Sequence, residues 1–260
     1  MLDKKGFDMW ADEYDIDVEI SNNENSYPFA GYKSVLSRIL AIVSEKNKPT
    51  VLDIGFGTGV LTKKLYENGC TIYGQDFSGT MVKIAKEKMP NAKLFVGDFS
   101  HGLNKELEKE QYDFIVATYS LHHLDDDAKI NFLNELVLRL NDGGKIIIGD
   151  VMFENENALE KCKTDFHDSW DYDEIYFVID KMKRAFPDLE FQKISFCSGV
   201  IVIKKELKVT RLLLRHTRRT MLRIFTDVGK TSTLKKATTT NLTTAFQIFP
   251  ESRLRDLNFG

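Results

Sequence analysis

The chain predicts an α/β fold, a doubly wound and mostly parallel sheet with helices on both faces. Three observations predict it. Short apolar segments alternate with segments of helical periodicity from Val51 to Gly149. The first of them, Val51–Ile54, runs straight into a turn with glycine at 55, 57 and 59, which opens a helix bearing Leu61, Leu65 and Tyr66 on one face. Near the end, Phe191–Phe196 and Val200–Lys204 flank Ser198-Gly199 as a closing antiparallel hairpin.

Taken in order, Phe7, Trp10, Ala11 and Tyr14 fall at helical spacing and give one aromatic face. Two readings stay open for it: a helix packed on the core, or a lid over a ligand. Ser21–Ser26 is a polar loop, and a helix from about Ala30 to Glu45 carries Val35, Leu36, Ile39, Leu40 and Val43 as its buried stripe. Residues 1–48 are therefore expected to form an N-terminal helical cap on a core spanning 49–206. Pro49 ends the helix and hands over to the first strand. After the glycine turn, Asn68-Gly69 stops the second helix. Thr71–Asp76 is a strand ending on a carboxylate, and Ser78 caps a helix bearing Met81, Ile84, Ala85 and Met89. Lys93–Val96 leads to Gly97-Asp98, and Tyr112–Thr118 leads to Tyr119-Ser120-Leu121-His122-His123-Leu124. The helix Asp125–Leu140 has acidic residues at its start, where the dipole favours them. Lys145–Gly149 is the fifth strand, ending at Asp150; Ala158–His167 and Asp173–Phe186 read as helices.

Composition narrows the classes. A hydrophobic content of 42% is ordinary for a soluble globular protein. No segment approaches the roughly 18 apolar residues that span a bilayer. Met1-Leu2-Asp3-Lys4-Lys5 has no apolar run behind its lysines, so a secretory signal is not expected. Cys70, Cys162 and Cys197 are isolated, which argues against a disulfide framework or a zinc site and for small core residues in the reducing cytoplasm. No metal site is expected. The charge is uneven: residues 1–206 hold 25 Lys and Arg against 36 Asp and Glu, whereas residues 207–260 hold 11 against 3. That last stretch also has 11 threonines. It reads as a disordered or foreign tail, with a basic helix over Leu207–Phe225 that meets phosphate as the alternative.

The chemistry gathers around the glycine turn. Glycine has no Cβ, so the backbone takes positive φ there and a ligand can lie against it. The helix start offers N–H groups and a positive dipole end to a negatively charged ligand group. Asp76 at the end of strand two suits acceptance from two ribose hydroxyls, and Asp98 after strand three suits an exocyclic amine such as adenine's. A dinucleotide fingerprint would need glycine at 60, where Val60 stands. A phosphate-binding Walker loop would need Gly-Lys-Ser/Thr, which is absent.

These residues resemble the class I S-adenosylmethionine-dependent methyltransferases. Val51-Leu52-Asp53-Ile54-Gly55-Phe56-Gly57-Thr58-Gly59 is similar to that family's first motif, and Tyr73-Gly74-Gln75-Asp76-Phe77-Ser78 to its ribose-binding motif. Gly97-Asp98-Phe99 resembles its adenine contact, and Leu140–Lys145 its turn into strand five. Phe7–Asp15 is similar to the leading Phe-Asp-x-x-Ala-x-x-Tyr-Asp of many small-molecule members, and with Tyr119–Leu124 the likeness is closest to the YrrT-like bacterial group. The resemblance covers about residues 7–205. It implies a Rossmann-like sheet of seven strands, the last antiparallel, with S-adenosylmethionine as cofactor. It assigns cofactor binding to Tyr14, Asp53, Gly55, Gly57, Gly59, Asp76, Phe77, Asp98 and Phe99.

The implied reaction is displacement at a sulfonium methyl, in which the protein mainly aligns the acceptor. His122 and His123, just past strand four, are the candidates for a general base or acceptor contact; the other reading is a helix start or core position. Acceptor recognition is expected from the N-terminal segment and from Val151–Tyr176, which holds Phe153, His167, Trp170 and Tyr172. The segment Ala117-Thr118-Tyr119-Ser120 lacks the Asn/Asp-Pro-Pro-Tyr/Phe pattern of nucleic-acid amino-methyltransferases. A small-molecule acceptor is thus expected. The alternatives are an RNA or protein methyltransferase recruited by the basic tail, or a cofactor-binding protein without turnover.

Overall fold

The computed structural model describes residues 26–205. The aromatic face of Phe7 to Tyr14 and the tail from Leu207 onward lie outside the described residues.

Among the described residues eight strands form one mixed sheet: β1 (Thr50–Ile54), β2 (Thr71–Asp76), β3 (Lys93–Val96), β4 (Tyr112–Thr118), β5 (Leu140–Phe153), β6 (Phe177–Val178), β7 (Glu190–Lys193) and β8 (Ser198–Lys204). Their order is β3-β2-β1-β4-β5-β8-β7, with β6 paired to β5. Strands β1 to β5 are mutually parallel where they pair, and β8 runs antiparallel to both β5 and β7. The doubly wound sheet with an antiparallel end is the expected one, with the two-residue β6 added to the seven strands. Chain order reverses between β1 and β4, so a crevice opens at their carboxyl ends.

The helices are α1 (Tyr32–Val43), α2 (Val60–Glu67), α3 (Gly79–Lys88), α4 (Asp126–Leu138), α5 (Glu156–Asp165) and α6 (Ile179–Ala185). Val35 and Ile39 of α1, Leu61 and Leu65 of α2 and Val82 and Ala85 of α3 share one apolar core with outward residues of the sheet. Phe132, Leu133 and Leu136 of α4 and Ile179 and Met182 of α6 share the core on the other face. Burying both faces explains why Val51 to Ile54 are all buried in the central β1. Helix α1 lies directly on the sheet, because a Cβ on Gly149 of β5 would come within 2.4 Å of Val35. Helix α1, from the expected 1–48 cap, is thus core, and Pro28, Phe29 and Tyr32 edge the crevice.

Two expectations are corrected. Strand five does not end at Asp150. It continues to Phe153 because Asp150 and Val151 still pair with Gly199 and Ser198 of β8. At its start, Asn141–Gly144 is absorbed as an irregularity, the partner register jumping from Tyr112–Leu140 to Phe114–Lys145, with Gly143 at φ +78°. The second correction is Asp173–Phe186, of which only Ile179–Ala185 is helical. Phe177 is fully buried against β5 as strand β6, and the Ile175 N–H donates to the His122 carbonyl at 2.8 Å, so tertiary pairing overrides the helical pattern. Cys70, Cys162 and Cys197 are buried thiols. Among the described residues no helix is long and apolar enough to cross a membrane.

Candidate functional site

The near wall of the crevice is the glycine turn. Gly55, Gly57 and Gly59 all hold positive φ, at +68°, +56° and +82°. Their reasons differ. A Cβ on Gly55 would come within 2.5 Å of Ser120 on the neighbouring strand end, whereas a Cβ on Gly57 would meet nothing within 4 Å among the described residues. Gly55 is there for packing, and Gly57 for a backbone conformation beside open space. Gly59 is the N-cap of α2 and lies off the crevice wall. Phe56, a bulky residue in this turn, is buried over β2, where Gly74 leaves it room.

Asp76 joins the turn to β2. Its Oδ2 accepts from the Gly57 N–H at 2.8 Å and its Oδ1 from the Ser78 N–H at 2.9 Å. The same carboxylate lines the crevice, so it fixes the turn and presents charge to whatever binds there. Phe77 and Phe99 line it too, Phe99 stacked on Phe132 at 6.0 Å between centroids. Asp98 does not. Its carboxylate caps a 3₁₀ turn through the Ser100 N–H at 2.8 Å and meets His101 at 3.2 Å. Asp53 lies beneath the turn, fully buried, accepting from the Thr62 hydroxyl at 2.7 Å. Its other oxygen has no hydrogen-bond partner among the described residues. Burial pushes the Asp53 carboxyl up to about 7, with the Thr62 bond opposing and the Asp76 charge adding.

The far wall follows β4. Tyr119 holds φ +48°, unusual for a residue with a side chain, and Ser120 donates to the Ile54 carbonyl at 2.9 Å, tying β4 back to β1. The next turn delivers His122 and His123. His122 is buried with Nδ1 at 2.7 Å from Asp150 and Nε2 at 3.3 Å from Glu174. Burial disfavours charge on this ring, but the two carboxylates outweigh it and hold its pKa well above the usual histidine range. His123 stacks edge-on against it at 4.3 Å between centroids, and burial together with the His122 charge lowers His123 to about 4. One imidazole is thus held charged and its neighbour uncharged, side by side.

Glu174 arrives from the segment between α5 and β6. That segment is held at several points. Tyr27 stacks on Trp170 with ring centroids 5.1 Å apart and hydrogen-bonds Tyr176. Lys129 of α4, fully buried, donates to the Leu124 carbonyl at 2.7 Å and to the Ile175 carbonyl. A buried ammonium donating to two carbonyls is a strong tether, because hydrogen bonds from a charged donor are stronger than neutral ones.

The crevice therefore gathers Gly55, Gly57, Asp76, Phe77, Phe99, His122 and His123 of the sequence-expected residues, and leaves Asp53, Gly59 and Asp98 off its wall. Tyr14 lies outside the described residues. Of the expected acceptor-side aromatics, Phe153 and Trp170 are buried in the Tyr27–Tyr176 cluster, while Tyr172 is exposed. The residues of Val151–Tyr176 that do line the crevice are Val151 and the acidic Asp171, Asp173 and Glu174. No spacing signal marked Glu174 or Lys129. Asp150 stood at a strand end, and only the fold turns it toward His122.

The methyltransferase-domain family pattern matches residues 51–144. Among curated relatives, the chain is 37% identical over 198 residues to an uncharacterized methyltransferase of Geobacillus thermodenitrificans, covering 73% of this chain and 88% of that one. It is 34% identical over 180 residues to an uncharacterized methyltransferase of Alkaliphilus oremlandii, covering 69% and 80%. Among solved structures, the fold is similar to magnesium protoporphyrin IX methyltransferase from Synechocystis with bound S-adenosylhomocysteine. There the TM-score is 0.54 and the identity 18%, over 68% of this chain and 84% of that one.

Proposed function

This chain belongs to the class I S-adenosylmethionine-dependent methyltransferases, and from that premise we propose that it methylates a small molecule held between the glycine turn and the His122–His123–Glu174 wall. One observation carries the reading: Gly57 and Asp76 of the cofactor side share a single crevice with His122, His123 and Glu174. The residues fit the cofactor. Gly57 has open space where a side chain would stand, and Asp76 is aligned by two backbone N–H groups at the crevice edge. In this reading Gly55 and Gly57 line the methionine end, Asp76 takes the ribose hydroxyls, and Phe77 and Phe99 flank the adenine. Asp53 supports the turn from beneath.

The bound cofactor supplies a methyl group on a positively charged sulfur. What the chain adds is position. Phe29, Tyr32 and Tyr119, in mutual ring contact at 5.1 to 6.0 Å, form an aromatic edge that limits the acceptor's size. Holding the acceptor in line supplies most of the rate gain. A protic acceptor must also lose its proton; the uncharged His123 ring can accept its hydrogen bond, as a weak base with a pKa lowered to about 4, while His122 stays clamped between Asp150 and Glu174. The buried thiols of Cys70, Cys162 and Cys197 fit a reducing compartment such as the cytoplasm.

Calorimetry with S-adenosylmethionine, S-adenosylhomocysteine and NAD tests the cofactor, and labelled methyl transfer across a panel of thiols, amines and hydroxyls tests the acceptor. Binding of the first two only, with transfer to one small-molecule class, is expected. Transfer to RNA or protein alone would overturn the small-molecule assignment.

A further inference from the structure

We propose that His122, His123 and Glu174 form a binding site for a divalent transition-metal ion whose open coordination position faces the crevice. One ligand atom from each of the three lies within 4.8 Å of the others. The His122 Nε2 to Glu174 Oε1 separation is 3.3 Å. In a tetrahedral site with bonds of about 2.0–2.2 Å, neighbouring ligand atoms stand about 3.3–3.6 Å apart, so this pair already has the spacing and His123 has to draw closer to complete the set. Two imidazoles and one carboxylate, leaving a fourth position, is a ligand set used for metal-assisted catalysis.

The surroundings support the same reading. Metal-bound histidines ordinarily donate their second ring nitrogen to a carboxylate, which fixes the tautomer and the ring plane. Asp150 accepts from His122 Nδ1 at 2.7 Å, a metal ion at Nε2 taking the place of the proton that the charged ring otherwise carries there; the second Asp150 oxygen is buried with no partner among the described residues. Glu174 is held in place by the Ile175 N–H on the His122 carbonyl and by Lys129 on the Ile175 carbonyl. Asp76, Asp171, Asp173 and Glu174 line the crevice, and no Lys or Arg among the described residues does, an acidic lining that suits a cation. The sequence hides this site because Glu174 lies 51 residues beyond His123 and the three follow no metal spacing.

The inference rests on reading this wall as the acceptor side and deepens it. With the ion in place, His123 is a ligand rather than a free base, and the ion lowers the pKa of the acceptor's thiol or hydroxyl bound at its fourth position. The test is cobalt(II) titration of the full-length, metal-stripped protein, followed by visible absorption, with zinc competition. One equivalent with tetrahedral cobalt bands is expected. H123Q and E174Q should each weaken it at least about 10-fold, D150N about 10-fold, and H167A not at all. Circular dichroism and S-adenosylhomocysteine affinity confirm that each variant is folded. No stoichiometric uptake, or uptake unchanged in both H123Q and E174Q, overturns the site. If S-adenosylhomocysteine still binds in that case, the methyltransferase reading of the crevice stands; if neither binds, both fall.

Discussion

The ring of Phe56 occupies the space where Gly74 has no side chain: a Cβ on Gly74 would come within 2.7 Å of Phe56 Cδ1. A large residue inside the glycine turn is thereby housed by a small one on the neighbouring strand. Leu94 closes the same space from β3, at 2.9 Å from that Cβ. Gly74→Ala is expected to destabilise the protein by about 1–3 kcal/mol, the usual range for overpacking. Phe56→Leu should recover part of that loss in the double variant. Urea melts of the four proteins give the coupling energy, and strict additivity would show that the two positions do not share this space.

The glycines of the turn should separate by readout. Gly57→Ala places a Cβ in open space, so the fold loses only the left-handed backbone penalty of about 1–2 kcal/mol. Its main effect is on S-adenosylhomocysteine binding, expected to weaken about 10-fold or more, because the new methyl stands at the crevice. Gly55→Ala adds a collision with Ser120 and should lose about 3 kcal/mol of stability or more. Thermal melts and calorimetry on both variants check the ordering.

Asp53 gives a pH dependence whose sign is fixed by its burial. Its folded-state pKa is raised from 3.8 to about 7. The folded state therefore binds the proton more tightly than the unfolded chain. The penalty is absent below the unfolded pKa and complete above the folded one, so this residue makes stability fall as pH rises from about 4 to about 7. The full drop is roughly 4 kcal/mol. Asp53→Asn keeps an acceptor for the Thr62 hydroxyl and removes the charge, so its stability relative to the native protein should rise across that window. Urea melts at pH 4, 5.5 and 7.5 test it; parallel curves for the two proteins would mean that Asp53 titrates normally.

Much of the fold was legible because local rules and the tertiary environment agree. Thr71–Asp76, Lys93–Val96 and Tyr112–Thr118 are strands at the expected bounds, and Ser78 caps α3 by accepting from the Met81 N–H. Legibility failed where a long-range partner decides. Asp173–Tyr176 has helical spacing but is drawn out by the His122 carbonyl and by Lys129, neither near in sequence. Lys129 carries no local mark of its place, yet it is fully buried. The cofactor side of the crevice comes from one contiguous turn and a strand end, which a motif can reveal. The His122 side is assembled from β4, β5 and a distant loop, so nothing local marks Asp150 or Glu174 as partners.

Lys129 yields the prediction that best separates the two sides of the crevice. Its ammonium lies 5.1 Å from the Phe177 ring centroid and bonds the carbonyls of Leu124 and Ile175, none of them part of the glycine turn. Lys129→Met keeps the apolar stem and leaves two buried carbonyls without this donor, at a loss of about 1–3 kcal/mol. The larger consequence is local, because Ile175 follows Glu174 directly in the chain. Once freed, the segment no longer holds Glu174 at His122, while Asp76 and Gly57 are untouched. S-adenosylhomocysteine affinity should therefore stay within about 2-fold of the native value, and methyl transfer should fall about 10-fold. Hydrogen exchange should rise in residues 170–176 and stay constant in residues 51–61. Equal losses in cofactor affinity and in turnover would instead show that Lys129 supports the whole sheet, with no separate part in placing Glu174.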